Sequence, residues 1–308
     1  YCMPQRESWT WSAPGQRKNV HLYDSTGMEM TYLAANNAKE LLFPDWKQWC
    51  ALTPGAQIPK EERENPAVVA MLQDATDTLF SYLNHSNFGQ VISECLLDLM
   101  AGTCSLTIDE GDLDEPFLFD STPLSCLDLE PGKRGTVQTT FNERKPVARN
   151  IPGLLPGREL EGLPTALQTR IRGRPDSEVE LIQGIVYDEE TRKYFGMLLW
   201  PEGHEIIWRY DYEDSNPRIV ARSSVLSGEV YGRGRCMLAL PDIKTINAMM
   251  RDYLQHAAMQ INPPLTAVTD GILNPYTVRL VPNAVIPVSN ADQIRALDVG
   301  GNYRVAEA

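Results

Sequence analysis

The sequence lacks the patterns that mark membrane, secreted and metal-binding proteins. No stretch approaches the run of about eighteen apolar residues that a membrane span requires, and the chain does not open with a charged-then-apolar leader. We therefore expect neither a membrane span nor a signal peptide, although Tyr1 in place of methionine suggests a missing initial segment. The four histidines are isolated from one another and from metal-spaced partners, so each is interpreted as a surface or structural residue. They are His21, His85, His204 and His256.

Motifs for catalysis and nucleotide binding are also missing. His204-Glu205 does not extend to H-E-x-x-H, and neither a G-x-S-x-G elbow nor a G-x-x-x-x-G-K-[ST] loop occurs. The run at 232–235 lacks the third glycine of G-x-G-x-x-G. The acidic loop at 109–115 lacks the EF-hand order and is interpreted as a solvated turn. We therefore expect no cofactor, no metal and no enzymatic activity, and functional evidence has to come from architecture.

Basic residues are scarce relative to acidic ones. The chain has 28 Lys and Arg against 41 Asp and Glu, a formal net charge of −13. This balance argues against a general nucleic-acid binder, because such proteins neutralise phosphates with clustered Lys and Arg. It does not exclude DNA as a passenger, since an acidic surface repels a polyanion and lets it slide without sticking.

Cysteines are present but scattered, with no C-x-x-C pair. We interpret them as reduced thiols in a cytosolic setting and not as a disulfide framework. They are Cys2, Cys50, Cys95, Cys104, Cys126 and Cys236.

The strongest pattern in the sequence predicts a long helix that starts at Pro241 and ends before Pro263 and Pro264. Steps of three and four residues place one apolar stripe on the helix: Ile243, Ile246, Met250, Tyr253 and Ala257. A second apolar row widens it: Met249, Leu254, Ala258 and Ile261. A helix apolar over so much of its circumference must be packed on at least two sides. The polar remainder is a narrow strip of Lys244, Arg251, Asp252 and Gln255.

The rest of the chain predicts a mixed α+β body. Helices are expected after the polar cluster at 24–27 to Leu42, over 66–85, and over 88–101 with Ser86 or Asn87 as cap. Strands are expected at 103–109, within 117–148, and in a meander at 179–187, 194–200 and 205–212. The stretch 150–174 predicts an irregular connection with a short helix at 164–170, and two β-rich runs follow the long helix at 263–268 and 278–288.

Sequences on both sides of the long helix carry a family resemblance. They include Gly228-Glu229-Val230-Tyr231-Gly232-Arg233-Gly234, then Ala239-Leu240-Pro241-Asp242-Ile243-Lys244-Thr245-Ile246-Asn247, and after the helix Asn262-Pro263-Pro264-Leu265, Asp270-Gly271, Asn274-Pro275 and Val278-Arg279-Leu280-Val281-Pro282-Asn283. Earlier matches are Leu41-Leu42-Phe43-Pro44 and Ser86-Asn87-Phe88. Together they resemble the head-to-tail connecting (portal) proteins of short-tailed, podovirus-type bacteriophages. The resemblance is densest at 217–301 and weak at 150–174.

That resemblance implies a ring, commonly of about twelve copies, with a wing, a stem, a clip and a crown. By position, the wing would be 1–227 (helices 24–102, β-rich 103–227), the hinge and first stem helix 228–261, and the α/β clip 262–308. The second stem helix, tunnel loop and crown of the family would follow the last residue.

The resemblance also implies function and partners. The ring would form the channel at one capsid vertex through which double-stranded DNA is packaged and later ejected. Its partners would be the terminase large subunit, a tail adaptor, and the major capsid and scaffolding proteins, with assembly in the bacterial host cytoplasm and a final place in the virion. The apolar stripe would pack between subunits, and the polar strip Lys244, Arg251, Asp252 and Gln255 would face the channel. Candidate clip residues for partner docking are Asn274, Tyr276 and Arg279.

Two other interpretations remain open at this stage. One is a soluble α+β enzyme in which acidic clusters supply acid and base groups, although those carboxylates lie in predicted turns. The other is a different self-assembling adaptor component of a virion.

Overall fold

The computed structural model describes residues 1–4, 21–55, 57–112, 115–132, 135–155, 162–212, 215–261, 265–267 and 294–296. Within these ranges the fold is α+β. The helices are α1 (Thr26–Leu42), α2 (Lys60–Arg63), α3 (Pro66–His85), α4 (Phe88–Ala101), α5 (Thr165–Gly173) and α6 (Arg235–Ile261). The strands are β1 (Thr103–Glu110), β2 (Phe117–Ser121), β3 (Leu127–Pro131), β4 (Val137–Arg144), β5 (Leu181–Asp188), β6 (Lys193–Trp200), β7 (Glu205–Tyr212), β8 (Arg218–Arg222), β9 (Leu265–Ala267) and β10 (Ile294–Ala296). Two 3₁₀ helices cover Leu124–Cys126 and Ala148–Leu154.

The chain divides into two compact units. The sheet unit comprises Cys2–Lys18 and Met28–Leu240, and the helix unit comprises Tyr1, Asn19–Gly27 and Pro241–Ala308. Helices α1 to α4 precede the strands β1 to β8 in the chain, and α5 lies between β4 and β5.

Local capping chemistry sets the ends of the predicted helices. Asn65 caps α3, because its side-chain oxygen accepts from the Ala67 N–H at 3.0 Å and Pro66 follows in the first turn. Asn87 is the N-cap residue of α4 but makes no side-chain cap bond, and the hydroxyl of Ser86, one position earlier, accepts from the Phe88 N–H at 3.2 Å. Asn87 instead bonds both backbone groups of Phe119, so it covers part of the edge of β2 as a short strand would.

Two antiparallel sheets carry the sheet unit. The larger has the order β3-β4-β5-β6-β7, which confirms the meander predicted over 179–212. The smaller has the order β2-β1-β8. Strand β8 was not predicted, because its five residues pair with β1, more than a hundred positions earlier in the chain, and their burial depends on that pairing.

The expectation of an irregular connection at 150–174 is wrong for its described residues, which supply a core. Ile151, Leu155, Leu163, Leu167 and Ile171 are all buried. Together with Ala148 they pack over the apolar ends of β5, β6 and β7: Leu181, Leu198, Trp200 and Ile207. The leucines in this stretch belong to a packed layer, and the predicted short helix is confirmed as α5.

A second core lies between α4 and the smaller sheet. Val91, Ile92, Cys95 and Leu96 recur at helical spacing and are buried with Cys104 and Phe119 of the sheet and Ala35 of α1. All six cysteines lie in described residues, where each is a free thiol. The neighbouring Cys95 thiol, and after it burial, raise the pKa of Cys104 far above its usual value.

A buried arginine joins the two sheets. Arg218 of β8 is 1% exposed, and its Nε donates to Thr107 Oγ1 of β1 at 3.2 Å while Nη1 donates to Thr140 Oγ1 of β4 at 3.3 Å. Burial and, to a smaller extent, the nearby Arg144 guanidinium lower the pKa of Arg218 against the opposing effect of the Asp120 carboxylate, and the net pKa is about 10. Asp120 itself forms an ion pair with Arg144. The charged groups near Arg218 therefore include both a carboxylate and a second guanidinium group.

Three glycines fasten the segment before α6 to the corner between α4 and β1. A Cβ on Gly102 would lie 2.0 Å from the Gly232 oxygen, one on Gly232 would lie 2.4 Å from the Gly102 oxygen, and one on Gly234 would lie 2.1 Å from the Met100 oxygen. The close approach permits hydrogen bonds from the Gly232 N–H to Thr103 Oγ1 at 2.8 Å and from the Gly234 N–H to the Ala101 oxygen at 3.1 Å. The close contact between backbone atoms thus explains why glycine occupies these three positions.

Substituting Gly232 by alanine should destabilise the sheet unit by about 3 kcal/mol or more, because backbone atoms on both sides must move to admit the methyl group. Urea unfolding followed by circular dichroism measures this change. Gly173→Ala is the matched control, since its Cβ would meet no atom within 4 Å, and it should shift stability by less than about 0.5 kcal/mol. Equal effects of the two substitutions would contradict the contact.

Arg218→Lys should cost about 1–3 kcal/mol, because one ammonium group cannot reproduce the fork that reaches Thr107 and Thr140 on different sheets. Arg172→Lys at an exposed position of α5 is the control and should be nearly neutral. If both variants unfold at the same urea concentration as the native chain, Arg218 does not join the sheets.

Candidate assembly helix

Helix α6 begins at Arg235, six residues before the predicted start at Pro241. The early start follows from Gly234, which ends the glycine contact and whose oxygen accepts from the Met237 N–H at 3.2 Å. Pro241 therefore lies inside the helix, where it removes one backbone hydrogen bond. At 1.5 Å per residue the helix is about 40 Å long.

Apolar side chains of α6 are exposed along its length. From Asp242 to Ile261 the only buried residue is Asn247. Seven large apolar residues in this span are between 37% and 78% exposed: Ile246, Met249, Met250, Tyr253, Leu254, Met259 and Ile261. A soluble chain rarely exposes so many large apolar groups on one element, and such surfaces mark interaction sites.

The residues of the predicted apolar stripe differ in their surroundings. Ile246, Met250 and Tyr253 are exposed, whereas Ile243 and Ala257 are half-buried. Ile243 packs within its own chain, because a Cβ on Gly27 would lie 2.7 Å from Ile243 Cγ2. The surface that α6 leaves open is therefore centred on Ile246, Met250 and Tyr253.

The predicted polar strip is exposed at all four positions. With 3.6 residues per turn, Lys244, Arg251 and Gln255 lie within roughly 40° of one another, and Asp252 lies roughly 80° to one side. Arg251 Nε donates to Asp252 Oδ1 at 2.9 Å, so these two charges partly neutralise each other. Lys244 Nζ lies 5.7 Å from the centre of the Tyr1 ring.

Sequence reasoning missed the role of Asn247. Its Oδ1 accepts from the Tyr23 N–H at 2.7 Å and the Asp24 N–H at 3.3 Å, and its Nδ2 donates to the His21 oxygen at 3.3 Å. One buried amide thus holds the segment 21–24 along α6. The available signal was its position four residues after Ile243, on an apolar side of the helix where a polar group needs partners.

The sequence of the chain matches a known protein family. The sequence model of the family described as bacteriophage head to tail connecting protein matches residues 1–307. The chain belongs to this family. No curated protein matches the chain at a significant level. Membership confirms the connector resemblance and identifies a structural component of the head–tail junction of a phage particle.

Among the described residues no group of three or more His, Cys, Asp or Glu side chains is arranged to hold a metal ion. In the same ranges no helix is both long and apolar enough to cross a bilayer. A cavity of about 460 Å³ contains two carboxylates and neither histidine nor cysteine; it is lined by Glu130, Pro131, Gly132, Gln138, Thr139, Val186, Tyr187 and Glu189.

The predicted clip is described only in part. Strand β9 (Leu265–Ala267) confirms part of the β-rich run predicted at 263–268, and its antiparallel partner is β10 (Ile294–Ala296), which was not predicted. The second predicted run at 278–288 and the candidate docking residues Asn274, Tyr276 and Arg279 lie outside the described residues.

Replacing Asn247 by alanine should cost about 1–3 kcal/mol, because the partly buried N–H groups of Tyr23 and Asp24 lose their acceptor. Hydrogen exchange of those two amides should accelerate strongly, and urea unfolding should begin earlier. Gln255→Ala, at an exposed position of the same helix, is the control and should change neither measurement. Unchanged exchange at Tyr23 in Asn247→Ala would refute the contact.

Proposed function

We propose that this connector-family chain assembles into a closed ring in which copies of α6 stand side by side around a channel. The observation that carries the proposal is the exposed apolar surface of α6 in the single chain. A ring of identical copies buries this surface through repeated head-to-tail contacts. The ring would be the portal at one capsid vertex of a short-tailed phage, with about twelve copies as in the resembled family.

The energetics favour burial of this helix between copies. Fully burying a large aliphatic or aromatic side chain contributes about 1.5–3 kcal/mol, so partial burial of seven such groups amounts to several kcal/mol per neighbour. Every copy in a closed ring has two neighbours, so no copy is left with an unpaired contact. The candidate contacts between subunits are Ile243, Ile246, Met250, Tyr253 and Ala257. Gly27 of the same chain already covers part of the Ile243 side chain.

Double-stranded DNA is the proposed passenger of the channel. Lys244, Arg251, Asp252 and Gln255 form the candidate channel-facing strip, with two cations, one anion and one amide. Arg251 is partly neutralised by Asp252, and the whole chain carries a net charge of −13. A surface with few free cations holds phosphates weakly, and weak contacts suit a polymer that has to move in both packaging and ejection.

The remaining regions are proposed to serve the portal as wing and clip. The wing would span 1–227, the hinge and first stem helix 228–261, and the clip 262–308. We propose that the clip docks the terminase large subunit during packaging and a tail adaptor afterwards, with Asn274, Tyr276 and Arg279 as candidate contacts. Major capsid and scaffolding proteins would surround the wing during assembly in the host cytoplasm.

The exposed helix also fits a second candidate, a ring-forming adaptor added after the genome is packaged. Both candidates predict a ring, and they differ in when the protein is needed. A phage lacking a portal should contain no packaged DNA, whereas a phage lacking a late adaptor should package DNA and then lose it. Nuclease-protected DNA in lysates of a deletion mutant separates the two.

Ile246→Glu and Tyr253→Glu should each prevent ring formation, because the interface would have to bury an unpaired carboxylate at a cost of several kcal/mol. Gln255→Glu is the matched control, since it adds the same charge to the same helix but on the exposed polar strip. Light scattering after gel filtration measures particle mass. Rings from Ile246→Glu, or loss of rings in Gln255→Glu, would contradict the assignment of faces.

Lys244→Glu and Arg251→Glu should leave the ring intact and reduce DNA packaging, because both changes add repulsion where the phosphates pass. Protected DNA per particle is the measurement, and electron microscopy of the rings controls for assembly. Native packaging in both variants would show that the strip does not face the DNA.

A further inference from the structure

Two of the six cysteines lie beside each other although more than two hundred positions separate them in the chain. Cys236 lies in the first turn of α6, and its thiol makes a side-chain hydrogen bond with the thiol of Cys2. Its Sγ also lies 3.3 Å from Thr31 Oγ1 of α1. Cys2 and Thr31 are buried, whereas Cys236 is half-buried. Two thiols and one hydroxyl group thus form a cluster whose most exposed member is Cys236.

Helices hold two of these three groups in place. Cys2, Thr31 and Cys236 all belong to the sheet unit. Thr31 is on α1, which packs through Ala35 into the core between α4 and the smaller sheet. Cys236 comes two residues after Gly234, whose backbone contacts the α4–β1 corner. Cys2 lies in neither a helix nor a strand, so its backbone can adjust without breaking the hydrogen bonds of an element.

The position of the two thiols favours a disulfide bond between them. A disulfide has an S–S length of about 2.05 Å and joins Cα atoms about 4.4–6.8 Å apart. The sulfur atoms of hydrogen-bonded thiols are already in contact, so bond formation requires a movement of roughly 2 Å by the side chains and the backbone of Cys2. The pair therefore needs only an oxidant.

We propose that Cys2 and Cys236 form an intramolecular disulfide when the phage particle leaves its host cell. Phage components are made in a cytosol that keeps thiols reduced, and a component of the head–tail junction later reaches an extracellular medium in which disulfides persist. The bond ties residue 2 to the first turn of α6, beside the contact that Gly232 and Gly234 make. This modification goes beyond the proposed ring and does not require it.

The oxidant is a small disulfide such as oxidised glutathione, and the reaction has two exchange steps. Cys236 reacts first, because it is more exposed than Cys2. Its thiolate attacks one sulfur of the oxidant, and one glutathione leaves as a thiolate that takes up the proton lost by Cys236. Cys2 then attacks the Cys236 sulfur of the mixed disulfide, and the second glutathione leaves with the Cys2 proton. Two electrons thus pass from the protein to the oxidant, whose S–S bond breaks while the protein S–S bond forms.

A second pair of neighbouring thiols provides an internal comparison. Cys95 and Cys104 interact with each other but are 1% and 6% exposed, so an oxidant in solution does not reach them in the folded chain. Burial raises the pKa of Cys236 as well, whereas the hydroxyl of Thr31 lowers it by donating to the thiolate. Because the thiolate is the attacking form, oxidation of the Cys2–Cys236 pair should accelerate as the pH rises.

Peptide mapping of the purified full-length chain tests the proposal. Cys50→Ser is present throughout, because Cys50 is exposed and would couple separate copies. The chain is incubated with oxidised glutathione or with an excess of reduced glutathione, quenched with acid, denatured and alkylated. Oxidised glutathione should give a linked pair of peptides that contain Cys2 and Cys236 and leave Cys95 and Cys104 alkylated. Excess reduced glutathione should leave all of these cysteines alkylated.

Two further variants on the same background test the order of the steps and their effect. Cys2→Ser should stop at the mixed disulfide, with glutathione retained on Cys236, because the second thiol is missing. Oxidation should raise the thermal unfolding midpoint of the Cys50→Ser chain by several degrees, since the bond closes a loop of more than two hundred residues. The midpoint of the variant that also carries Cys236→Ser should not change.

Two results with the purified chain would overturn the proposal. One is that Cys2 and Cys236 both remain alkylated in oxidised glutathione, and the other is that each retains glutathione without a linked peptide. Phage particles collected from the culture medium and alkylated at once provide the second measurement, with unlysed infected cells as the control. The linked peptide is expected in the particles and not in the cells. Reduced Cys2 and Cys236 in the particles would also overturn the proposal.

Discussion

A long helix whose apolar side chains remain in solvent is the constraint on which the account of this protein depends. Along α6, Ile246, Met249, Leu254 and Ile261 expose between 42% and 78% of their surface, and the chain does not fold back over them in its described parts. Each exposed group forgoes the stabilisation that burial in a core would bring. We propose that copies of the chain recover this free energy by burying α6 in an assembly, and membership of the connector family is consistent with assembly at the head–tail junction.

The fold prepares α6 for that role by holding its first turn firmly. Gly102, Gly232 and Gly234 bring the backbone before the helix into contact with the α4–β1 corner, which is itself built on a buried core. Arg222 of β8 donates two further hydrogen bonds, one to the Val230 oxygen in the same segment and one to the Gly135 oxygen. Gly135 lies in the turn between β3 and β4, so Arg222 links the segment to the larger sheet through that turn. Small residues and backbone contacts define the position of a chain more strictly than flexible side chains do. The helix thus begins from a fixed base.

Much of this fold could be predicted from the sequence where local chemistry decides the outcome. Asn65-Pro66 marks the start of α3, and Gly102 marks the end of α4. The periodic apolar residues of the two helices indicate their buried faces. Prediction failed where distant contacts decide. Strand β8 exists because Arg218 and its neighbours pair with β1, and the core role of Ile151 and Leu167 depends on strands that come later in the chain. Local patterns carry no information on such pairings.

The candidate assembly helix α6 shows the same difference between features set by local sequence and features set by distant contacts. Periodicity correctly indicated that α6 is apolar over much of its surface. It could not show that Gly27 partly covers the Ile243 side chain or that Asn247 is buried. Both depend on a segment more than two hundred positions earlier. The start of α6 was placed too late for a different reason. Proline is favoured in a first turn, but a helix of 27 residues also tolerates the loss of one hydrogen bond at Pro241.

The most direct test is the native mass of the purified full-length protein, together with an electron-microscopic view along the particle axis. We expect a closed ring of many copies with a central opening, in which the Ile246, Met250 and Tyr253 surfaces of α6 are buried between neighbours. A single-copy mass, with α6 covered by its own chain, would contradict the account.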